Sequence, residues 1–331
     1  MRNAWYVAAE SRELQDDEMM AVTILDEEIV LFRDGRGQAH ALQDHCPHRG
    51  ARLSDGRHHG ERIACPFHGW EFGGDGRCRL IPSNGPDAKI PDKARVTAYP
   101  LQELGGHVWV WIGEAERVTP LDLPPELTDP TWRAVPFRAE WKAHLTRVIE
   151  SILDVSHLPY VHPESTGDVD PRVEGPAFQV NEREIVVIAK PFHPLLQTPG
   201  GYVDDRKAST ITFQFPNQII LRTDMMEEKV MATYLTMTPV AGGGIVLYGL
   251  ALRNFFQDIE LIDDVHYEHN VTVLEQDRPV VEALRPRISP LDLEREVHVR
   301  SDAQQVRYRL LLKKQLEREQ ASDPYYGQDK S

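Results

Sequence analysis

The sequence predicts an α+β chain of two domains: an all-β domain over residues 1–115, then a domain over 116–331 in which an antiparallel sheet is flanked by helices. Three observations predict it. Short period-two apolar runs separated by Gly, Pro and Asn turns fill the first third. The stretch TPLDLPPELTDP, with four prolines, breaks all periodicity. Beyond it, further strand-like runs lead into two long segments with helical spacing. A length of 331 residues points the same way, because one hydrophobic core rarely serves more than about 200.

Taken in order, EEIVLFRDGRG is a strand closed by an Asp-Gly turn, HALQDH is a short alternating run, and HVWVWIG at 107–113 alternates large apolar side chains. Gly73, Gly74, Gly76 and IPSNGP mark turns between them. After the Glu114–Pro136 linker, Val148, Ile149, Ile152 and Val155 predict a helix from Trp141 to Leu158, which Pro159 ends or kinks. EIVVIAK, STITFQF, NQIILRTD, KVMATYLTMTPV and GIVLYGLALRN suit an antiparallel sheet. Helices are expected from Phe255 to about Arg285 and from Ala303 to Gln320. GGDG and AGGG lack the spacing of a nucleotide-binding loop and are expected to be turns.

The formal charge of −15 argues against a nucleic-acid partner, since phosphate binding needs a basic face. No apolar leader or membrane-length apolar run is present, so a cytoplasmic protein is expected. Three cysteines, Cys46, Cys65 and Cys78, cannot build a disulfide framework, and in that compartment spaced Cys and His residues point to metal or catalysis.

Cys46-x-His48 and Cys65-x-x-His68, sixteen residues apart, offer two thiolates and two imidazoles. Those donors suit a tetrahedral structural zinc, or a [2Fe–2S] cluster with two His on one iron. Cys78 falls outside the spacing and reads as a packed cysteine. Further along, Asp154, His157 and His162 are spaced D-x-x-H-x-x-x-x-H, with the first two on one helix face and the third able to return after Pro159. Two imidazoles and a carboxylate on one side of a metal form the facial triad of non-haem Fe(II) oxygenases. His266 and His269, with Asp263 and Asp264, offer a competing cluster, expected to be a solvated face; Glu150 and Asp258 are expected at the surface or behind the metal ligands.

CPHRG and CPFHGW closely resemble the Rieske signature, with Pro82 in LIPSNGP where such domains carry a third, covering loop. Rieske motif, linker and D-x-x-H-x-x-x-x-H in that order resemble the oxygenase component of Rieske non-haem iron oxygenases over nearly the whole chain. NAWYVAA and EQDRPVVEA resemble the branch that includes vanillate O-demethylase and dicamba monooxygenase.

The resemblance implies a Rieske [2Fe–2S] domain on Cys46, His48, Cys65 and His68, then a helix-grip catalytic domain with a mononuclear non-haem Fe(II) on His157, His162 and Asp277. In isolation Asp277 reads as a solvated helix carboxylate. Asp154 is implied as a bridge from His157 to His68 of a neighbouring subunit, and hence a head-to-tail trimer. O2 would be a co-substrate, and NAD(P)H would act only through a separate reductase, with or without a ferredoxin. Arg49, Arg52, Arg57 and Arg62 offer that partner a docking face.

The expected reaction is hydroxylation or oxidative demethylation of a small, aromatic substrate by a monooxygenase. A cis-dihydroxylase, a pure electron carrier and a zinc module are the alternatives. Phe213, Phe215, Ile220, Met231, Tyr234, Leu247 and Leu250 are candidates for the pocket wall. Relatives often carry Asn three or four residues before the bridging Asp, where this chain has Ser151 and Glu150.

Overall fold

The computed structural model describes residues 1–166, 169–173, 177–190, 209–225 and 228–322. Two compact units emerge, one of Arg2–Asp122 with Val240–Gly242, the other of Met1, Leu123–Pro239 and Gly243–Ser331.

The first unit is built from short strands: β1 (Ala4–Glu10), β2 (Met19–Ile24), β3 (Glu27–Arg33), β4 (Ala39–Gln43), β5 (Arg57–His58), β6 (Arg62–Ala64), β7 (Glu71–Gly73), β8 (Cys78–Leu80), β9 (Ala98–Tyr99), β10 (Leu101–Leu104) and β11 (His107–Ile112). They form three sheets, β1-β11-β10, β2-β3-β4-β9 and β5-β6-β7-β8. β11 alternates in sequence, yet all six of its residues are buried. As the central strand of its sheet it packs both faces, and its indoles find acceptors: Trp109 Nε1 donates to Leu104 O and Trp111 Nε1 to Glu114 O. β5 to β8 form a separate small layer whose turns carry Cys65 and His68.

The second unit has β12 (Arg133–Trp141), β13 (Ala177–Val180), β14 (Glu184–Ala189), β15 (Ser209–Gln214), β16 (Gln218–Asp224), β17 (Val230–Val240) and β18 (Gly244–Arg253) in one antiparallel sheet, ordered β12-β18-β17-β16-β15-β14-β13. Its helices are α1 (Leu145–Leu153), α2 (Leu158–Val161), α3 (Pro163–Thr166), α4 (Glu260–Ala283) and α5 (Ala303–Ser322). An N-terminal β domain followed by an antiparallel sheet with helices is the expected α+β, helix-grip arrangement. Pro136 falls inside β12, tolerated because β12 is the edge of its sheet.

The core cluster places Leu235 and Met237 of β17 and Ile245, Leu247 and Ala251 of β18 against Val148, Ile149 and Leu153 of α1, Leu274 and Val281 of α4, and Tyr308 of α5. Of the proposed pocket wall, Phe213, Phe215 and Leu247 lie in this cluster, and Met231 shares its strand face with Leu235. Ile220 and Tyr234 pair with each other on the opposite face, where Leu250 also points, so these three do not line that interior.

The predicted helix from Trp141 to Leu158 is shorter than expected at both ends. Trp141 closes β12, and the helix runs only from Leu145 to Leu153. His144 caps its start by accepting from Thr146 N. Asp154 leaves the helix in extended backbone, and its Oδ1 accepts from Ser156 N and Ser156 Oγ, both at 2.7 Å. That local turn competes with the next helical bond. Pro159 therefore terminates nothing; it sits in the first turn of α2, where a missing N–H costs little.

Candidate metal centres

In the first unit, two loops repeat one hydrogen-bond pattern. Cys46 N donates to Ala51 O at 2.9 Å and Gly50 N to Cys46 O at 2.9 Å; Cys65 N donates to Trp70 O at 2.8 Å and Gly69 N to Cys65 O at 3.0 Å. Closing so tight a turn needs positive φ, which Gly50 (75°) and Gly69 (67°) supply. Pro82 covers the second loop: a Cβ on Gly69 would lie 3.3 Å from Pro82 Cγ.

Both cysteines are buried. Burial pushes the Cys46 thiol up to about 11, against the pull of the His48 and Arg49 backbone amides, with Cys65 adding to the rise. His48 and His68 lie with ring centroids 4.5 Å apart. Trp70 stacks on His48 at 4.7 Å and 5°, while exposed Phe67 tilts over His68 at 4.0 Å. Trp70 was not singled out from sequence, although CPFHGW contains it. His48 Nδ1 is buried without a hydrogen-bond partner among the described residues.

The donors thus pair thiol with thiol and imidazole with imidazole. A tetrahedral zinc would bring all four within about 3–4 Å of one another. Among the described residues only His157, His162 and Asp277 form a group of three or more donors within 4.8 Å, so the Cys/His set fits a two-iron cluster better than zinc. Cys78 is buried, its Sγ 3.3 Å from Leu80 O.

In the second unit, the two ends of α2, capped by His157 and His162, meet Asp277 of α4. His162 Nε2 is 3.2 Å and His157 Nε2 3.5 Å from Asp277 Oδ1. Ligands about 2.1 Å from one metal, at 90–110° to each other, lie about 3.0–3.5 Å apart, so the set fits such an ion. His162 Nε2 is buried and makes no aligned hydrogen bond. Its Nδ1 lies 2.7 Å from Gln276 Oε1, an acceptor that places the proton on Nδ1 and leaves Nε2 a lone pair. Gln276 was not recognised from sequence as anything beyond a neighbour of Asp277. Asp277 is 8% exposed, not the solvated carboxylate it resembles in isolation.

Asp154 Oδ2 faces His157 Nδ1 at 3.8 Å. Burial opposes its ionisation, but His157 and the Ser156 hydrogen bonds outweigh that and hold its pKa below the usual value. A cavity of about 280 Å³ reaches Asp154, His157 and Asp277. Glu150 also lines it and is not a surface group, and its carboxylate is held by residues other than the metal ligands. It is 8% exposed and bound by Arg147 (3.2 Å), Arg309 (3.1 Å) and Ser289 Oγ (2.7 Å). Both arginines also grip Glu296, at 2.6 and 2.5 Å. This network pins α1 to α5 and accounts for Glu150 where relatives often carry Asn.

The competing cluster on α4 does not assemble as a solvated face. Asp264 and His269 are exposed, but His266 is 4% exposed and Asp263 pairs with Arg253 and Arg133. The α4 spacing carried both signals, since His266 shares the buried stripe of Asp277 and His269 does not. Asp258 is exposed.

Two family models match, a Rieske [2Fe–2S] domain over residues 4–100 and the vanillate O-demethylase oxygenase C-terminal domain over residues 141–318. The chain belongs to the Rieske oxygenases of the vanillate O-demethylase type. Toluene-4-sulfonate monooxygenase system iron-sulfur subunit TsaM1 of Comamonas testosteroni is 35% identical over 50% of this chain and 48% of its own length. Dicamba O-demethylase, oxygenase component, of Stenotrophomonas maltophilia is 34% identical over 61% and 57%. The chain thus aligns with about half the length of these two relatives. Methylxanthine N1-demethylase NdmA of Pseudomonas putida is 26% identical over 95% and 88%. The structure of dicamba monooxygenase bound to dicamba superposes with a TM-score of 0.79 at 26% identity, covering 96% of this chain and 98% of that one. Among the described residues, no helix of this Rieske oxygenase is long and apolar enough to cross a membrane.

Proposed function

We propose that the chain is the terminal oxygenase component of a multicomponent system that hydroxylates or oxidatively demethylates a small aromatic substrate in the cytoplasm. The observation that carries this is the convergence of His157, His162 and Asp277 in a chain that also has a Rieske domain. Cys46, Cys65, His48 and His68 hold the cluster, and the triad holds the mononuclear iron. When bound, the cluster supplies single electrons and the iron supplies O2 activation for attack on a C–H bond.

The side chains do the remainder. Gln276 fixes the tautomer of His162, and the Asp154 carboxylate faces His157 Nδ1 at 3.8 Å, beyond hydrogen-bond length, so it acts on that imidazole as a nearby negative charge. Ser156 holds one oxygen of Asp154 and leaves the other for His157 and for His68 of a neighbouring copy. Exposure of His68 and Phe67 supports a head-to-tail trimer in which that contact forms. A separate reductase or ferredoxin carries electrons from NAD(P)H. Arg52 and Arg62 are paired with Asp44 and Glu71, so docking falls to exposed Arg49 and Arg57.

The test is an iron and sulfide count with electron paramagnetic resonance of the reduced protein. About three irons and two acid-labile sulfides per chain are expected, with Asp277→Ala losing only the non-cluster iron. Zinc without sulfide would overturn the reading.

A further inference from the structure

The three residues of the triad are not covered equally. The side chain of His162 is 3% exposed, that of Asp277 11% and that of His157 19%. The cavity of about 280 Å³ lies on the less covered side: His157 and Asp277 line it, and His162 does not. Leu284 and Val297 line it too, and with Val297 91% exposed the cavity opens to solvent within this unit.

Its wall carries excess negative charge. Arg147 and Arg309 neutralise Glu150 and Glu296, which leaves Asp154, Asp277 and Asp302. One oxygen of Asp302 accepts from Val299 N at 2.8 Å, while the other has only Ser301 Oγ at 3.4 Å. On the same wall, His298 Nε2 and Gln305 Oε1 are buried atoms without a hydrogen-bond partner among the described residues, and Gln305 as a whole is 9% exposed. A cleft lined by one sign of charge concentrates ions of the opposite sign, so this one attracts a divalent cation and repels an organic anion. Imidazole nitrogen, amide oxygen and carboxylate oxygen are all donors that a ferrous ion accepts. Idle buried donors of this kind call for an occupant.

We propose that this cavity is the loading route for the mononuclear iron, with His298, Asp302 and Gln305 as a transient Fe(II) relay between solvent and the triad. The proposal rests on the reading of His157, His162 and Asp277 as the iron site. The relay residues replace part of the ion's water shell and then release it inward, with no change of oxidation state. Asp277 and His157, on the cavity wall, receive the ion first. His162, whose Nε2 lone pair is set in advance by Gln276, completes the set.

The test strips the non-cluster iron from the purified holoenzyme with a chelator and returns ferrous ion without oxygen. Uptake is followed by capturing the ion still free with a colour-forming chelator. His298→Ala combined with Asp302→Asn should load at least about tenfold more slowly than wild type and still reach the same iron content. Loading at the wild-type rate overturns the relay, as it would if these residues only hold water. A lower final iron content also overturns it, because the residues would then belong to the resting site. Should that variant not fold, Val297→Trp narrows the mouth at an exposed position. Slower loading to the same final content supports the route, and an unchanged rate overturns it. All proteins are compared at one assembly state, because His68 of a neighbouring copy is placed beside Asp154 on this same wall. The end-point count is read separately: wild-type protein that takes up no iron beyond the cluster defeats the oxygenase reading, whereas full uptake at an unchanged rate in the variants defeats the route alone.

Discussion

Asp154 divides its two oxygens, Oδ1 to Ser156 and Oδ2 toward His157. Asp154→Asn keeps the size and the turn but replaces one acceptor with a donor. Both metals are expected to stay bound while turnover falls about 10- to 100-fold, as when partners behind a metal ligand are lost; steady-state assays beside an iron count check it. His266 yields a pH prediction. Its pKa is lowered from 6.5 to about 4, so the folded state binds fewer protons than the unfolded chain between those values. Stability should therefore fall as pH drops from 6.5 toward 4, by at most about 1.4 kcal/mol per pH unit. Urea titrations across that window should show a shallower slope in His266→Gln, and an unchanged slope would refute the assignment. Residue spacing pointed to the Cys/His pairs, and to His157 with His162 only in combination with the Rieske motif that precedes them. It did not show that His266 is buried, because three-residue spacing to exposed His269 hid the i, i+4 link from His266 to Asn270.

At the level of elements, the Cys46 and Cys65 loops share their backbone bonds but not their surroundings. Gly50 has open space where a Cβ would go, whereas Gly69 has Pro82 Cγ at 3.3 Å. Alanine at either position pays for positive φ, about 1–2 kcal/mol. Gly69→Ala must also displace the covering proline. It should hold less cluster than Gly50→Ala, measured as sulfide per chain and visible absorbance after purification. Strands and long helices were legible from periodicity. The end of α1 was not, because Val155 continues the apolar spacing while the Asp154–Ser156 turn that stops the helix is a side-chain event. Likewise Glu150 looked like a surface group until arginines from α1 and α5, 162 residues apart in sequence, closed around it.

At the scale of the whole molecule, the charge of −15 makes the local arginines near the cluster an exception that a partner can read. With Arg52 and Arg62 occupied, Arg49→Glu with Arg57→Glu should lower reductase-driven turnover several-fold and weaken its dependence on salt. Reduction of the cluster by dithionite should be unchanged in the same protein. An equal loss with both reductants would mean that the substitutions damaged the cluster itself.

The two imidazoles of the Rieske unit are dressed differently, His48 beneath Trp70 and His68 exposed beside Phe67. With Arg49 next in sequence to His48, donor and acceptor need not queue at one doorway. In the proposed head-to-tail ring, His68 would face the neighbouring subunit while the His48–Trp70 flank would stay open to an electron donor, so a bound cluster would be refilled without the ring opening.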